Sequence, residues 1–372
     1  MTHSLGEDSL GEDIVASPGD DRRKQMIANG ARGALTLAVG GFGGYLASLI
    51  HLPLPWMIGA MISCAVQVWI TPGFLWPGAR PLALIVLGLG LGQSFTSTIL
   101  SAVASALPIV VLAGVSTICV GVVFSRLFAK LAGTDTKTGY YCAVPGGVIV
   151  MAIQAERIGA DVATVTFTQS IRLVVVVLTI PPLLALSGIS HHGDFPMNSA
   201  APPVHALALA GMLVAGFFCA RIGNRLHLTN PWMIMPCFMA VTLCSFDALP
   251  SGVPVPMIDA AQAVLGTALG IRLTREFLLR SWHLLVASVI STLALAATLA
   301  TLAVVLAWLS GLPTAAVILG MAPGGMPEMS LTARALDAPV ALVLGFHLVR
   351  VVLSNLLIEP IWSLASRLGM AR

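Results

Sequence analysis

Charge is what this sequence is shortest of. Asp, Glu, Lys and Arg make up 9% of its 372 residues, where a soluble domain carries about a quarter. A chain of this length is enough for two or three soluble domains, yet it lacks the charge to cover their surfaces. Hydrophobic residues reach 57% and mean hydropathy is +0.93, so lipid is the outer solvent. Cysteine provides no framework. Cys64, Cys119, Cys142, Cys219, Cys237 and Cys244 are scattered through apolar runs without a CxxC pair, and read as small packing residues rather than disulfides or metal ligands. P-loop, G-x-S-x-G and dinucleotide fingerprints are missing as well, so no cofactor is expected. No soluble stretch is long enough for the basic module that binds DNA, which excludes nucleic acid as a partner.

The N-terminus lacks the cleavable apolar core of a signal peptide and carries acids early. Ser4 to Asp13 is a tandem Ser-Leu-Gly-Glu-Asp repeat, followed by Asp20, Asp21, Arg22, Arg23 and Lys24. Residues 1–31 read as a disordered cytoplasmic tail, and its basic cluster would hold it inside as the first helix inserts.

What is present is a run of apolar segments separated by short Gly/Pro-rich breaks. Spans are predicted near 33–50, 55–70, 81–98, 107–125 and 161–187, and again near 203–220, 231–247, 257–274, 284–309 and 338–364. Each approaches the roughly 20 residues that cross a hydrocarbon core. Two shorter apolar stretches, 139–153 and 313–327, are each broken by Pro-Gly-Gly.

These are one unit twice. Pro145-Gly146-Gly147 matches Pro323-Gly324-Gly325 at an offset of 178 residues, which also pairs Met151 with Met329, Ala155 with Ala333, Gln169 with His347, Arg172 with Arg350, and Gly88/Gly92 with Gly266/Gly270. Pro55-Trp56-Met57-Ile58 matches Pro231-Trp232-Met233-Ile234 at 176. Several motifs in one order at nearly one offset mark a duplication. The domain reading is a tail (1–31), a first repeat (32–190), an external linker (191–202) and a second repeat (203–372).

The basic residues orient it. If both Pro-Gly-Gly stretches enter the membrane and return, Arg80, Arg126, Lys130, Lys137, Arg157, Arg221, Arg225, Arg272, Arg275, Arg280, Arg367 and Arg372 share one side with the tail. Arg334 alone of the inter-span residues falls opposite. Full crossing of the first stretch would move Arg221, Arg225, Arg275 and Arg280 outside, against the positive-inside rule. Five crossings per unit is odd, so the second copy is inverted. The expected fold is an all-α polytopic membrane protein of about ten transmembrane helices, a five-plus-five inverted repeat in which each repeat carries a Pro-Gly-Gly re-entrant or broken helix. Both termini are expected in the cytoplasm, at a bacterial inner membrane.

Inverted repeats with Gly/Pro-interrupted segments at matching places are the sequence pattern of secondary transporters. Backbone freed at Pro145, Gly146, Gly147, Pro323, Gly324 and Gly325 cannot face lipid and must line protein or a watery cavity. Arg172 and Arg350 fall in mid-span, where a cation normally faces a cavity or a partner. Gln169 and His347 precede them by three residues on the same helical face. Glu328 follows the second break, and Val150 stands in its place in the first copy. One reading makes this a cationic midplane site for an anionic group, with Glu328 or His347 carrying a coupling proton. The other pairs Arg350 with Glu328 and bonds Arg172 to carbonyls, for packing alone. Pro55-Trp56 and Pro231-Trp232 read as interfacial anchors, and Asn230, Asp161 and Asp259 as helix caps, with Asp259 also a candidate to line the cavity.

The twin Pro-Trp-Met-Ile, the twin Pro-Gly-Gly and the block Ala322-Pro323-Gly324-Gly325-Met326-Pro327-Glu328-Met329 resemble the AbrB-type membrane protein family of bacteria over about residues 33–366. The resemblance implies a bacterial inner-membrane location and a regulatory phenotype. Members of that family carry the labels transporter, regulator and ammonia monooxygenase. A monooxygenase requires a copper or iron site built of His and carboxylates, whereas His51, His191, His192, His205, His227, His283 and His347 are dispersed and His3 is in the tail. The expectation is therefore no enzyme and no metal site. The sequence points instead to a secondary transporter for a small anionic metabolite, coupled to H+ or Na+, whose partners are membrane lipid and that solute. Transporters of this organisation are often homodimers, and any effect on gene expression would be indirect. The rival reading is a non-transporting structural, sensory or gene-regulatory membrane protein.

Overall fold

A computed structural model describes residues 18–189, 202–226, 228, 230–246, 248–279 and 281–367. Among them every regular element is helical. The first half contains α1 (Pro18–Leu49), α2 (Pro55–Val68), α3 (Ala79–Gly92), α4 (Ser97–Ser105), α5 (Leu107–Ala132), α6 (Thr136–Ala143), α7 (Val148–Arg157) and α8 (Val162–Ser187). The second contains α9 (Ala206–Arg225), α10 (Pro231–Ser245), α11 (Val255–Gly270), α12 (Arg275–Leu279), α13 (Trp282–Ser310), α14 (Thr314–Met321), α15 (Met326–Ala335) and α16 (Val340–Arg367).

Nine of the ten predicted spans each coincide with one helix, in order α1, α2, α5, α8, α9, α10, α11, α13 and α16, and the other begins in α3. By length and composition five of them (α5, α8, α9, α13 and α16) qualify alone as membrane-crossing. The predicted span 81–98 is corrected: the helix stops at Gly92, and α4 turns away at 91°. The cause is local, because Thr96 caps α4 by accepting from the Ile99 N–H at 3.3 Å. At 14–16 residues, α2, α10 and α11 span only about 21–24 Å, less than a typical hydrocarbon core. The tail reading is corrected in part: α1 starts at Pro18, so residues 18–31 are helical, while 1–17 lie outside the described residues. The linker 191–202 also lies outside them, apart from Pro202. Large apolar side chains point away from the protein, with Leu186, Leu207 and Trp308 more than four-fifths exposed. An outer surface of that kind belongs in lipid, and the chain is a multi-pass membrane protein.

The duplication is visible in the backbone. Gly133 and Gly311, 178 residues apart, close α5 and α13 in the left-handed conformation, which glycine enters without a Cβ clash. Leu54 and Asn230 hold positive φ at the N-caps of α2 and α10, as do Gly159 and Asp337 after α7 and α15. Asn230 occupies the cap position without a side-chain capping bond, its Nδ2 donating instead to Met233 Sδ at 3.9 Å. Asp161 is a true cap, accepting from the Ala163 and Thr164 N–H groups at 3.0 and 3.3 Å. Asp259 is not, since it lies inside α11 and accepts from Gln262 Nε2 at 3.5 Å.

Glycine contacts give the helix directions. A Cβ on Gly88 would strike the Met233 carbonyl, and one on Gly92 the Cys237 carbonyl, so α3 and α10 run parallel at close approach. Gly266 against Met57 and Gly270 against Met61 make α11 and α2 parallel in the same way. Gln93 Oε1, just past the end of α3, accepts from Val253 N at 2.7 Å, just before the start of α11. Hence α3 and α11 are antiparallel, and so are α2 and its repeat counterpart α10. The two copies are inverted.

The helices sort into two bundles. One joins α1, α2 and α3 with α9, α10 and α11; the other joins α5–α8 with α13–α16. Each draws on both repeats. α4 and α12 link the bundles along the chain.

Candidate functional site

Both Pro-Gly-Gly stretches are helical hairpins inside the second bundle. α6 and α7 have 8 and 10 residues, about 12 and 15 Å, too short to cross. Their outer ends meet: Thr138 Oγ1, at the start of α6, accepts from Asp161 N, beyond the end of α7, at 3.0 Å. The chain enters, breaks at Pro145–Gly147 and returns on the same side. α14 and α15 repeat the arrangement around Pro323–Gly325.

The glycines are not chosen for backbone angle, since Gly147 and Gly325 have φ of −70° and −80°, open to any residue. They permit close approach. A Cβ on Gly146 would collide with Met151, one on Gly324 would press on Met329, and one on Gly325 would run into Glu328 Oε2. The conformationally adaptable Met side chain fills the gap at each break.

The predicted polar residues gather at these breaks in two equivalent sets. A helix end leaves carbonyls without partners, and in lipid each must be satisfied internally. Arg172 donates from Nη1 to Val144 O at 3.3 Å and from Nη2 to Gly146 O at 3.0 Å. Arg350 donates to Ala322 O at 2.6 Å and Gly324 O at 2.9 Å. Gln169 Nε2 donates to Tyr141 O at 2.7 Å, and His347 Nε2 stands 3.1 Å from Leu319 O. Every one of these partners is related by the 178-residue offset. His347 Nδ1 lies 2.8 Å from Arg350 Nη2. The guanidinium can only donate, so Nδ1 accepts and Nε2 carries the proton toward Leu319 O.

Both arginines thus bind the carbonyl ends of α6 and α14. The proposed Arg350–Glu328 pair is not formed. Glu328 is the third residue of α15, folds back on Gly325, and its Oε2 is buried without a hydrogen-bond partner. Arg172 Nε, Gln169 Oε1 and Ser330 Oγ are also buried and unpartnered.

The two breaks differ in exposure. Pro145 and Pro323 are both buried; around the second break Gly324, Met326 and Glu328 are buried and Gly325 half-buried, and α15 packs on α3, with Arg334 donating to Gly90 O at 3.0 Å. Around the first, Gly147 is exposed and Val148 and Val150 are half-buried. α7 makes no comparably extensive contact with α11, and Ile153, Glu156 and Arg157 stay exposed along it. The open face runs from the first tip toward Arg157 and its ion pair with Glu359 at 3.4 Å. An apolar cavity of about 170 Å³ lies beside Met326 at the start of α15, lined also by Phe95, Met233, Cys237 and Leu344. It offers nothing for a charged group. Sequence reasoning did not identify Arg334 or the unpartnered Ser330; one clue was that Arg334 breaks the one-sided pattern of basic residues.

Comparison with known proteins gives relatives over most of the chain. "Uncharacterized protein YhjN" of Bacillus subtilis (strain 168) is 25% identical over 357 residues, covering 89% of this chain and 92% of its own length. "Putative regulator AbrB" of Escherichia coli (strain K12) is 26% identical over 324 residues, 85% of this chain and 90% of its own. The family described as "Transition state regulatory protein AbrB" matches residues 56–366, and the chain belongs to that family.

Proposed function

We propose that this protein is a secondary transporter, and not an enzyme, that moves a small anionic metabolite across the bacterial inner membrane in exchange for, or together with, H+ or Na+. The observation that carries the reading is the pair of inverted re-entrant breaks, one open and one closed, set in one bundle beside another. A two-bundle inverted repeat can trade the roles of its copies, exposing a central site first to one side and then to the other. Termini in the cytoplasm follow from the Lys/Arg distribution. The word "regulator" in one relative's name favours a second reading, a non-transporting sensor. A transporter accounts for that name indirectly, by setting the level of a solute to which gene expression responds.

Of the two candidate proton carriers, Glu328 fits. His347 uses both ring nitrogens in hydrogen bonds and faces a guanidinium, whereas Glu328 Oε2 has no partner. Flux of labelled carboxylates into proteoliposomes under an imposed pH gradient tests the proposal. Uptake driven by the gradient is expected. Glu328→Gln should lose the pH dependence, while His347→Gln should retain it at a lower rate. Absence of flux for every carboxylate, with folded protein in the vesicles, would leave the sensor reading standing.

A further inference from the structure

We infer that the N-terminus of α7 seats a carboxylate of the solute, in the place that Glu328 fills at the symmetry-related N-terminus of α15; this rests on the transport reading above. A helix start has unpaired N–H groups and a partial positive charge, and it binds anions. At α15 the protein supplies the anion itself. Gly325 is the N-cap and Glu328 the third helical residue, folded back so that Oε2 lies against Gly325 without a hydrogen-bond partner, so it puts a carboxyl group at the helix start without the N–H bond of a capping box.

At α7 the same position is Val150, which cannot do this, and the N-cap Gly147 supplies no side chain. The first intrahelical bond is Met151 N to Gly147 O at 2.9 Å, so the N–H groups of Val148, Ile149 and Val150 precede any intrahelical acceptor. α15 has one fewer donor, because Pro327 has no N–H. Two further observations point to a ligand at α7. Arg172, 4% exposed, holds Gly146 O beside the N-cap with Nη2, and its Nε–H is buried with no partner. The tip is also open, with Gly147 exposed and Val148 half-buried, where their counterparts Gly325 and Met326 are half-buried and buried. A planar carboxylate can accept from adjacent N–H groups with both oxygens. The seat is therefore the helix start, with Arg172 behind it, rather than the arginines themselves.

The test is thermal unfolding of the full chain in detergent with sodium acetate, against sodium chloride at equal ionic strength. A ligand of the folded state raises Tm by mass action. Acetate should raise Tm above chloride in the parent. Val150→Glu, which installs in the first copy the acid the second already has, should weaken the acetate response at least tenfold. Val150→Gln, neutral and of similar size, should weaken it several-fold and decides the matter if the glutamate variant does not fold. A parent indifferent to acetate, or a folded variant that responds like the parent, overturns the seat. If the variants lose acetate binding yet no carboxylate crosses proteoliposomes, transport fails and the seat stands. If flux persists unchanged in Val150→Glu, the seat fails and transport stands.

Discussion

At the scale of single residues, the arginines show how much a sequence can say about importance and how little about partners. Their equivalence at 172 and 350, each three residues after Gln169 or His347, was legible from one offset. That their donors serve carbonyls was not, because backbone oxygens leave no mark in a sequence. The bonds set a prediction. Replacing Arg350 by Met leaves Ala322 O and Gly324 O without their donors, and an unsatisfied buried acceptor costs about 1–3 kcal/mol. Arg350→Met should therefore lower stability by roughly 2–6 kcal/mol, read as a large drop in Tm in detergent. Arg172→Met should cost less, since its bonds are longer at 3.0 and 3.3 Å against 2.6 and 2.9 Å. Lys at 350 keeps the charge but not the planar fork that reaches two carbonyls at once, so it should restore only part of the loss. Equal stability of all three variants would mean the carbonyls find other partners. Glu328 misled for a related reason: its charge suggested Arg350, while its spacing from Gly325 already matched the third position of a helix start.

At the scale of elements, the small-xxx-small pairs behaved as their spacing implied. Gly88 and Gly92 admit α10, and Gly266 and Gly270 admit α2, at backbone contact, the way small residues work between membrane helices. Gly92→Ala brings a Cβ to 2.6 Å from Cys237 O and 2.7 Å from Ala240 Cβ. Separating two helices that already touch along their backbones costs about 1–3 kcal/mol. Gly270→Ala should cost a similar amount, because its surroundings are the repeat equivalent. Gly211→Ala meets nothing within 4 Å and should leave Tm unchanged or raise it, since alanine is the better helix former. A Gly211 variant as damaged as Gly92 would show that these glycines act through helix propensity and not through packing. What the sequence hid at this scale were helix lengths. Apolar composition continues past Gly92 into α4, so hydropathy alone joined two helices that a capped turn at Thr96 separates by 91°. Likewise, the charges before residue 32 argued for a tail, yet α1 runs back to Pro18 through them.

At the scale of the whole molecule, inversion was legible because lipid enforces it: the Lys/Arg bias fixes sides, and an odd number of crossings does the rest. The division into two bundles was not, since it depends on which distant helices meet, as Gly88 of α3 meets Met233 of α10 across 145 residues. That division carries the last prediction. Symmetry of sequence is broken in space, with α15 closed on α3 and α7 open. Arg334 holds the closed side through Gly90 O, within electrostatic reach of Asp259 on α11. Its repeat equivalent is Glu156, an acid, which could not make that bond to a carbonyl as a carboxylate. The latch therefore favours one of the two arrangements, and removing it should shift the balance toward the other. Cysteine reactivity reports this in a background without the six native thiols. Cysteine at Val148, half-buried at the open tip, should react faster than cysteine at Met326, its buried counterpart, 6% exposed. Adding Arg334→Ala should slow labelling at 148 and speed it at 326, each by a factor of a few, because one closing implies the other opening. A change at 326 alone would show a second hairpin that loosens by itself, with no exchange of roles between the repeats and therefore no alternating access built on their symmetry.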